Sequence, residues 1–64
     1  MIYKNIIAYC DANNLSIMAF EQMCELGNGV VGKWQDGKLQ PSLGSLQKIE
    51  KATGIPIADW LKEN

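Results

Sequence analysis

The chain has no arginine and no histidine, and its 64 residues include only two cysteines. Without histidine, and with Cys10 and Cys24 too far apart for a Cys-x-x-Cys pair, the ligands of a zinc-type site are missing. The two cysteines are expected as reduced core thiols. The six cations are all lysine, so the bidentate arginine contact to guanine is ruled out and any base reading falls to Asn, Gln or Lys. There is no apolar run near the roughly 20 residues that span a bilayer, and residues 1–13 lack a basic-then-apolar leader pattern. A cytoplasmic protein with no membrane association is expected. Catalysis is not: there is no P-loop glycine pattern, no carboxylate pair set for acid–base work, and little volume for a pocket of several hundred cubic ångströms. No cofactor or metal is expected.

What the chain does have is apolar residues, 47% against 20% charged, enough for a modest core and too many for a disordered tail. Residues 1–64 read as one domain. Tyr3, Ile6, Ile7 and Cys10 recur at three-to-four spacing and predict a first helix over residues 2–12, ended by turn chemistry at residues 11–14. Ser16 is a good N-cap for a second helix over residues 17–24, with Phe20, Met23 and Cys24 inward. Ser42 caps a helix carrying Leu43, Leu46, Ile49 and Ala52 at three-residue steps. Gly54 ends it, and Pro56 opens a last short helix with Ile57, Trp60 and Leu61 on its apolar side.

Residues 26–37 hold the most information. Asn28-Gly29 between apolar residues is a hairpin signal, but Leu26, Val30, Val31 and Trp34 fit a helical face, so a helix ended by Gly37 is expected here. Its outward side is nearly bare, with Asn28, Gly29, Gly32 and Lys33 left to face a ligand. Gly29 and Gly32 each cost a helix about 1 kcal/mol against alanine. Two readings stay open: an irregular turn, or room for a close approach by another backbone. Trp34 and Trp60 read as core rather than as stacking platforms.

The order of these features resembles the Cro/repressor-type (XRE family) helix-turn-helix. The resemblance covers residues 3–61 and rests on Leu15-Ser16 and Phe20 in helix two, Leu26-Gly27 at the turn, and Val31 and Trp34 as buried positions. Gly37-Lys38, Pro41-Ser42-Leu43, Ile49, Ala52, Gly54-Ile55 and Trp60-Leu61 complete it. It implies an all-α, five-helix bundle of the lambda-repressor-like kind, acting as a small transcriptional regulator of phage or prophage type. It also implies that helix three lies in the major groove with Asn28, Gly29, Gly32 and Lys33 towards bases, while Ser16, Ile17 and Lys38 flank the phosphate path. Asn28 suits an adenine edge, and Lys33 a guanine or a phosphate. Lys48 and Lys51 read as phosphate contacts or as simply solvating.

The chain departs from that pattern in two places. Ile17 stands where many members carry a phosphate-binding Gln, and Glu25 falls where the turn needs a positive φ. Glu21 and Glu25 give residues 16–26 a net charge of −2, against +1 for residues 27–38, so the face is close to neutral. Weak phosphate neutralisation implies that a single copy binds DNA poorly and acts as a homodimer or in concert with a partner. Three functions follow as expectations. The first is a Cro-like regulator binding operator DNA. The second is a modulator or antirepressor of the same fold that grips a partner repressor, and the third an antitoxin or plasmid-control module. Tyr3, Tyr9, Met18, Leu39, Trp60 and Leu61 are candidates for a dimer or partner surface.

Overall fold

Ile2, Ile6 and Cys10 recur at four-residue steps, which stacks them along one side of a helix. In the computed structural model, which describes residues 2–62, that helix is α1 (Ile2–Ala12) and all three are buried. Helix α2 (Ile17–Met23), a 3-10 turn (Val31–Trp34), helix α3 (Leu43–Thr53) and helix α4 (Ile57–Trp60) follow, and no strand occurs among the described residues. The fold is all-α, with four α-helices and a 3-10 turn where a fifth helix was expected.

Helices α1 and α2 end in the same way. The Leu15 amide donates to the Cys10 carbonyl at 2.8 Å and the Asn14 amide to Asp11 at 3.4 Å, with Asn14 at φ 57°. After α2, Leu26 donates to Glu21 at 2.8 Å and Glu25 to Gln22 at 3.1 Å, with Glu25 at φ 58°. Both are Schellman closures, which satisfy orphan carbonyls by placing one residue in the left-handed region. Asn tolerates that region better than Glu, yet the positive φ is taken up by Glu25 itself and not relieved at Gly27.

Ser16 Oγ accepts from the Ala19 amide and Ser42 Oγ from the Ser45 amide, capping α2 and α3 as expected. Gly54 at φ 73° closes α3, and the Glu50 carboxylate accepts from the Ile57 amide at 3.0 Å at the start of α4. The core gathers Ile2, Ile6, Cys10, Phe20, Cys24, Val31, Trp34, Ile49 and Trp60. Tyr9, Phe20 and Trp60 pack as an aromatic triad with ring centroids 5.5 to 6.0 Å apart, within the range where edge contacts add to area burial. Trp60 therefore belongs to the interior, and Tyr9 is half-buried against it. Both cysteines are free and buried.

Three inward assignments fail, each for a geometric reason. Successive residues of an α-helix turn by about 100°, so a three-residue step drifts about 60° round the axis. The series Leu43, Leu46, Ile49, Ala52 thus sweeps across the helix surface, and only its middle meets the core: Leu43 is 65% exposed and Ala52 is also exposed. On α2 the inward side is Ile17, Phe20, Glu21 and Cys24, which leaves Met23 39% exposed. That side includes a carboxylate.

Candidate functional site

The segment joining α2 to α3 carries most of the expected site residues. It forms a chain of tight turns: the amide of Val30 donates to Gly27, Lys33 to Val30, Gln35 to Gly32 and Gly37 to Trp34. Every one of these bonds spans three residues, the spacing of a 3-10 rather than an α-helix. Gly29 explains why. At φ 80° it lies outside helical backbone, so residues 27–30 form a turn and regular winding starts only at Val31. The Asn28-Gly29 pair therefore makes a real turn, though with helical rather than strand neighbours.

Glu21 fixes the pose of this turn. Its side chain is 3% exposed, with Oε1 accepting from the Gly29 amide at 3.2 Å and Oε2 from the Val31 amide at 2.9 Å. Each oxygen thus satisfies one backbone donor that the three-residue ladder leaves unpaired. Hydrogen bonds of this kind to a charged group are worth about 1.5–3 kcal/mol each, and they offset the cost of burying the carboxylate. The cation usually needed beside a buried acid is absent: among the described residues the ion pair found joins Lys62 and Asp59 at 3.3 Å, at the surface. Glu21 consequently adds no exposed negative charge to a phosphate path. Sequence reading missed this role, although a signal was present. Glu21 is four residues after Ile17 and three before Cys24, on the core side of α2, just ahead of a glycine-rich turn rich in free amides.

Of the expected site residues, Asn28, Gly29, Gly32, Lys33 and Lys38 are exposed, above a floor formed by buried Val31 and Trp34. The Lys38 amide donates to Asp36 Oδ1 at 3.0 Å, an Asx turn that sets the chain's exit after Gly37, itself at φ 77°. Ser16 is exposed, but its Oγ is engaged as the cap of α2. Ile17 is half-buried against the core and offers no polar group. Lys48 Nζ reaches the Glu25 carbonyl at 3.4 Å, bracing the end of α2 against α3. Beside it Met23, Cys24, Glu25, Lys51 and Ala52 complete the lining of an open groove of about 370 Å³. Met18, Leu39 and Leu61 remain exposed apolar residues.

Burial pushes the Cys24 thiol up to about 11, with the nearby Cys10 adding to the effect, and burial followed by the Asp11 charge raises Cys10. Neither thiol is a nucleophile at neutral pH. No described helix is long and apolar enough to cross a membrane. Comparison with protein-family models, curated proteins and solved structures finds no match to this chain.

Proposed function

We propose that this protein is a small regulator that binds operator DNA, with α2 and the 3-10 turn acting as a helix-turn-helix and residues 28–33 facing the major groove. One observation carries the reading. Val31 and Trp34 anchor the turn in the core while Asn28, Gly29, Gly32 and Lys33 between and beside them stay exposed. An amide side chain that can bond an adenine edge and an ammonium that can reach a base or phosphate are thus carried on a well-anchored element. Lys38 follows the turn as a phosphate contact. Few lysines serve this face, so binding depends on a homodimer or a partner and has a shallow salt dependence. Gel-shift titration of the purified protein against a randomised duplex pool tests the reading. Enrichment of a defined sequence supports it, and undiminished binding by Asn28→Ala plus Lys33→Ala rules out the assigned residues.

A second reading, a modulator that grips a partner repressor with the same turn, is favoured by the bareness of that face, with two glycines and no arginine. Such a surface suits close packing against another backbone. Co-purification that recovers a repressor protein and no DNA separates it from the first reading.

A further inference from the structure

Among the described residues, the Glu21 carboxylate accepts from the backbone amides of Gly29 and Val31, which bracket the start of the exposed turn. On this basis, and building on the DNA reading above, we infer that Glu21 is a positioning residue. From inside the fold it sets the angle at which Asn28 and Lys33 meet a duplex, and so governs choice of sequence without touching DNA.

The geometry supports this in three steps. Gly29 at φ 80° and Gly32 give residues 27–32 a backbone of their own that side-chain sterics do not define. Packing holds the turn at Val31 and Trp34, downstream of Asn28. Leu26 and Val30 pack partly against the core on either side, but Gly27, Asn28 and Gly29 between them are exposed, and the carboxylate's bond to the Gly29 amide ties the Asn28-Gly29 bend itself to α2. With both amides directed at Glu21, this bend has no free N–H to offer a phosphate at those positions, and anion contacts fall to Lys33 and Lys38. Base readout tolerates little displacement, because a bidentate amide contact needs two hydrogen bonds in register.

The test compares wild type with Glu21→Gln and Glu21→Ala in two measurements. The first is amide hydrogen exchange at Gly29 and Val31, read against an amide in the middle of α1. The second is the affinity ratio between a duplex of about 20 base pairs, enriched by the wild type from a randomised pool, and the unselected pool. Gln keeps one acceptor but turns an NH₂ towards the other backbone donor, so it holds one amide and not both. Exchange at Gly29 and Val31 should rise about tenfold in Glu21→Ala relative to the α1 amide, and less in Glu21→Gln.

The selected-to-unselected ratio should fall about tenfold in Glu21→Ala, with binding to the unselected pool unchanged or slightly tighter because a negative charge is gone. A merely destabilised fold weakens both duplexes together and leaves the ratio unmoved. If Glu21→Ala fails to fold, Glu21→Gln carries both measurements. An unchanged ratio, or unchanged exchange at the two amides, overturns the Glu21 assignment while leaving the DNA reading intact. A wild type that enriches no duplex overturns the DNA reading and, with it, any role in sequence choice.

Discussion

The side-chain amide of Asn5 donates to the Trp60 carbonyl at 2.6 Å and to the Lys62 carbonyl at 2.9 Å, pinning the end of α4 to the first turns of α1. This link joins the two ends of the chain and holds Trp60 against Tyr9 and Phe20. The C-terminal helix is a single turn, too short to be stable alone, so its helicity depends on such contacts. Asn5→Ala removes both hydrogen bonds and should cost about 1–2 kcal/mol. In a domain this small, that corresponds to a fall of about 4–8 °C in Tm per kcal/mol, read by thermal circular dichroism. Asn5→Asp should be worse than Ala, since it sets a carboxylate against two carbonyl oxygens. An Asp variant as stable as wild type rules the assignment out.

Glu25 carries backbone strain that glycine removes. At φ 58° its β-carbon crowds the backbone, and its carbonyl, which accepts from Lys48, stays in place whatever the side chain. Glu25→Gly should therefore raise stability by about 0.5–1 kcal/mol even though glycine gains entropy in the unfolded chain. Asn14→Gly, at φ 57°, should gain less, because Asn already tolerates the left-handed region. Urea unfolding of both variants decides the matter, and a Glu25→Gly protein that is less stable than wild type shows that the side chain contributes something the strain argument omits.

These comparisons also show what was legible in the sequence. The caps Ser16 and Ser42, the stop at Gly54, and the inward places of Phe20, Val31, Trp34, Ile49 and Trp60 follow from local chemistry and periodicity and stand in the fold, whereas the winding expected to run to Gly37 ends at Trp34. The 3-10 winding of residues 31–34 did not follow. Leu26, Val30, Val31 and Trp34 share one face only at a period of 3.6, which points to an α-helix, and the terms that override it are the φ of Gly29 and two hydrogen bonds from another element. Glu21 reads in the sequence as a surface charge because acids are expected there, and only the whole turn shows that its partners are backbone amides. Within the site, Asn28, Lys33 and Lys38 are exposed as expected, whereas Ser16 and Ile17 serve the fold.

Cys24 makes stability depend on alkaline pH. Its folded value of about 11 lies above the ordinary 9.0 for a thiol, so the unfolded chain loses the proton first. The neutral thiol's contribution is fully present below pH 9 and is lost as pH rises through about 11. The slope can reach about 1.4 kcal/mol per pH unit for one thiol. The measurement is the difference between wild type and Cys24→Ala in urea unfolding at rising pH, which isolates this thiol. Wild type should lose its advantage over Cys24→Ala between pH 9 and 11, and parallel pH profiles reject the assignment.

Gly32 separates the two explanations for the bare turn. A β-carbon built there meets nothing within 4 Å, and its φ is not left-handed, so alanine fits without strain. By helix propensity Gly32→Ala should stabilise the fold by up to about 1 kcal/mol. If the glycine serves only an irregular turn, binding improves or stays the same. If it lets a ligand backbone come close, the added methyl group projects into that ligand, and binding falls about tenfold, or 1.4 kcal/mol, while Tm rises. Stability and affinity then move in opposite directions, which loss of folding cannot produce. Gly27→Ala is the control, since its β-carbon also meets nothing within 4 Å but sits at the opening of the turn, ahead of Asn28 and away from Lys33. The close-approach role requires weaker binding by Gly32→Ala and not by Gly27→Ala, in gel shift against the enriched duplex. Equal affinities reject it and leave Gly32 as a feature of the turn alone.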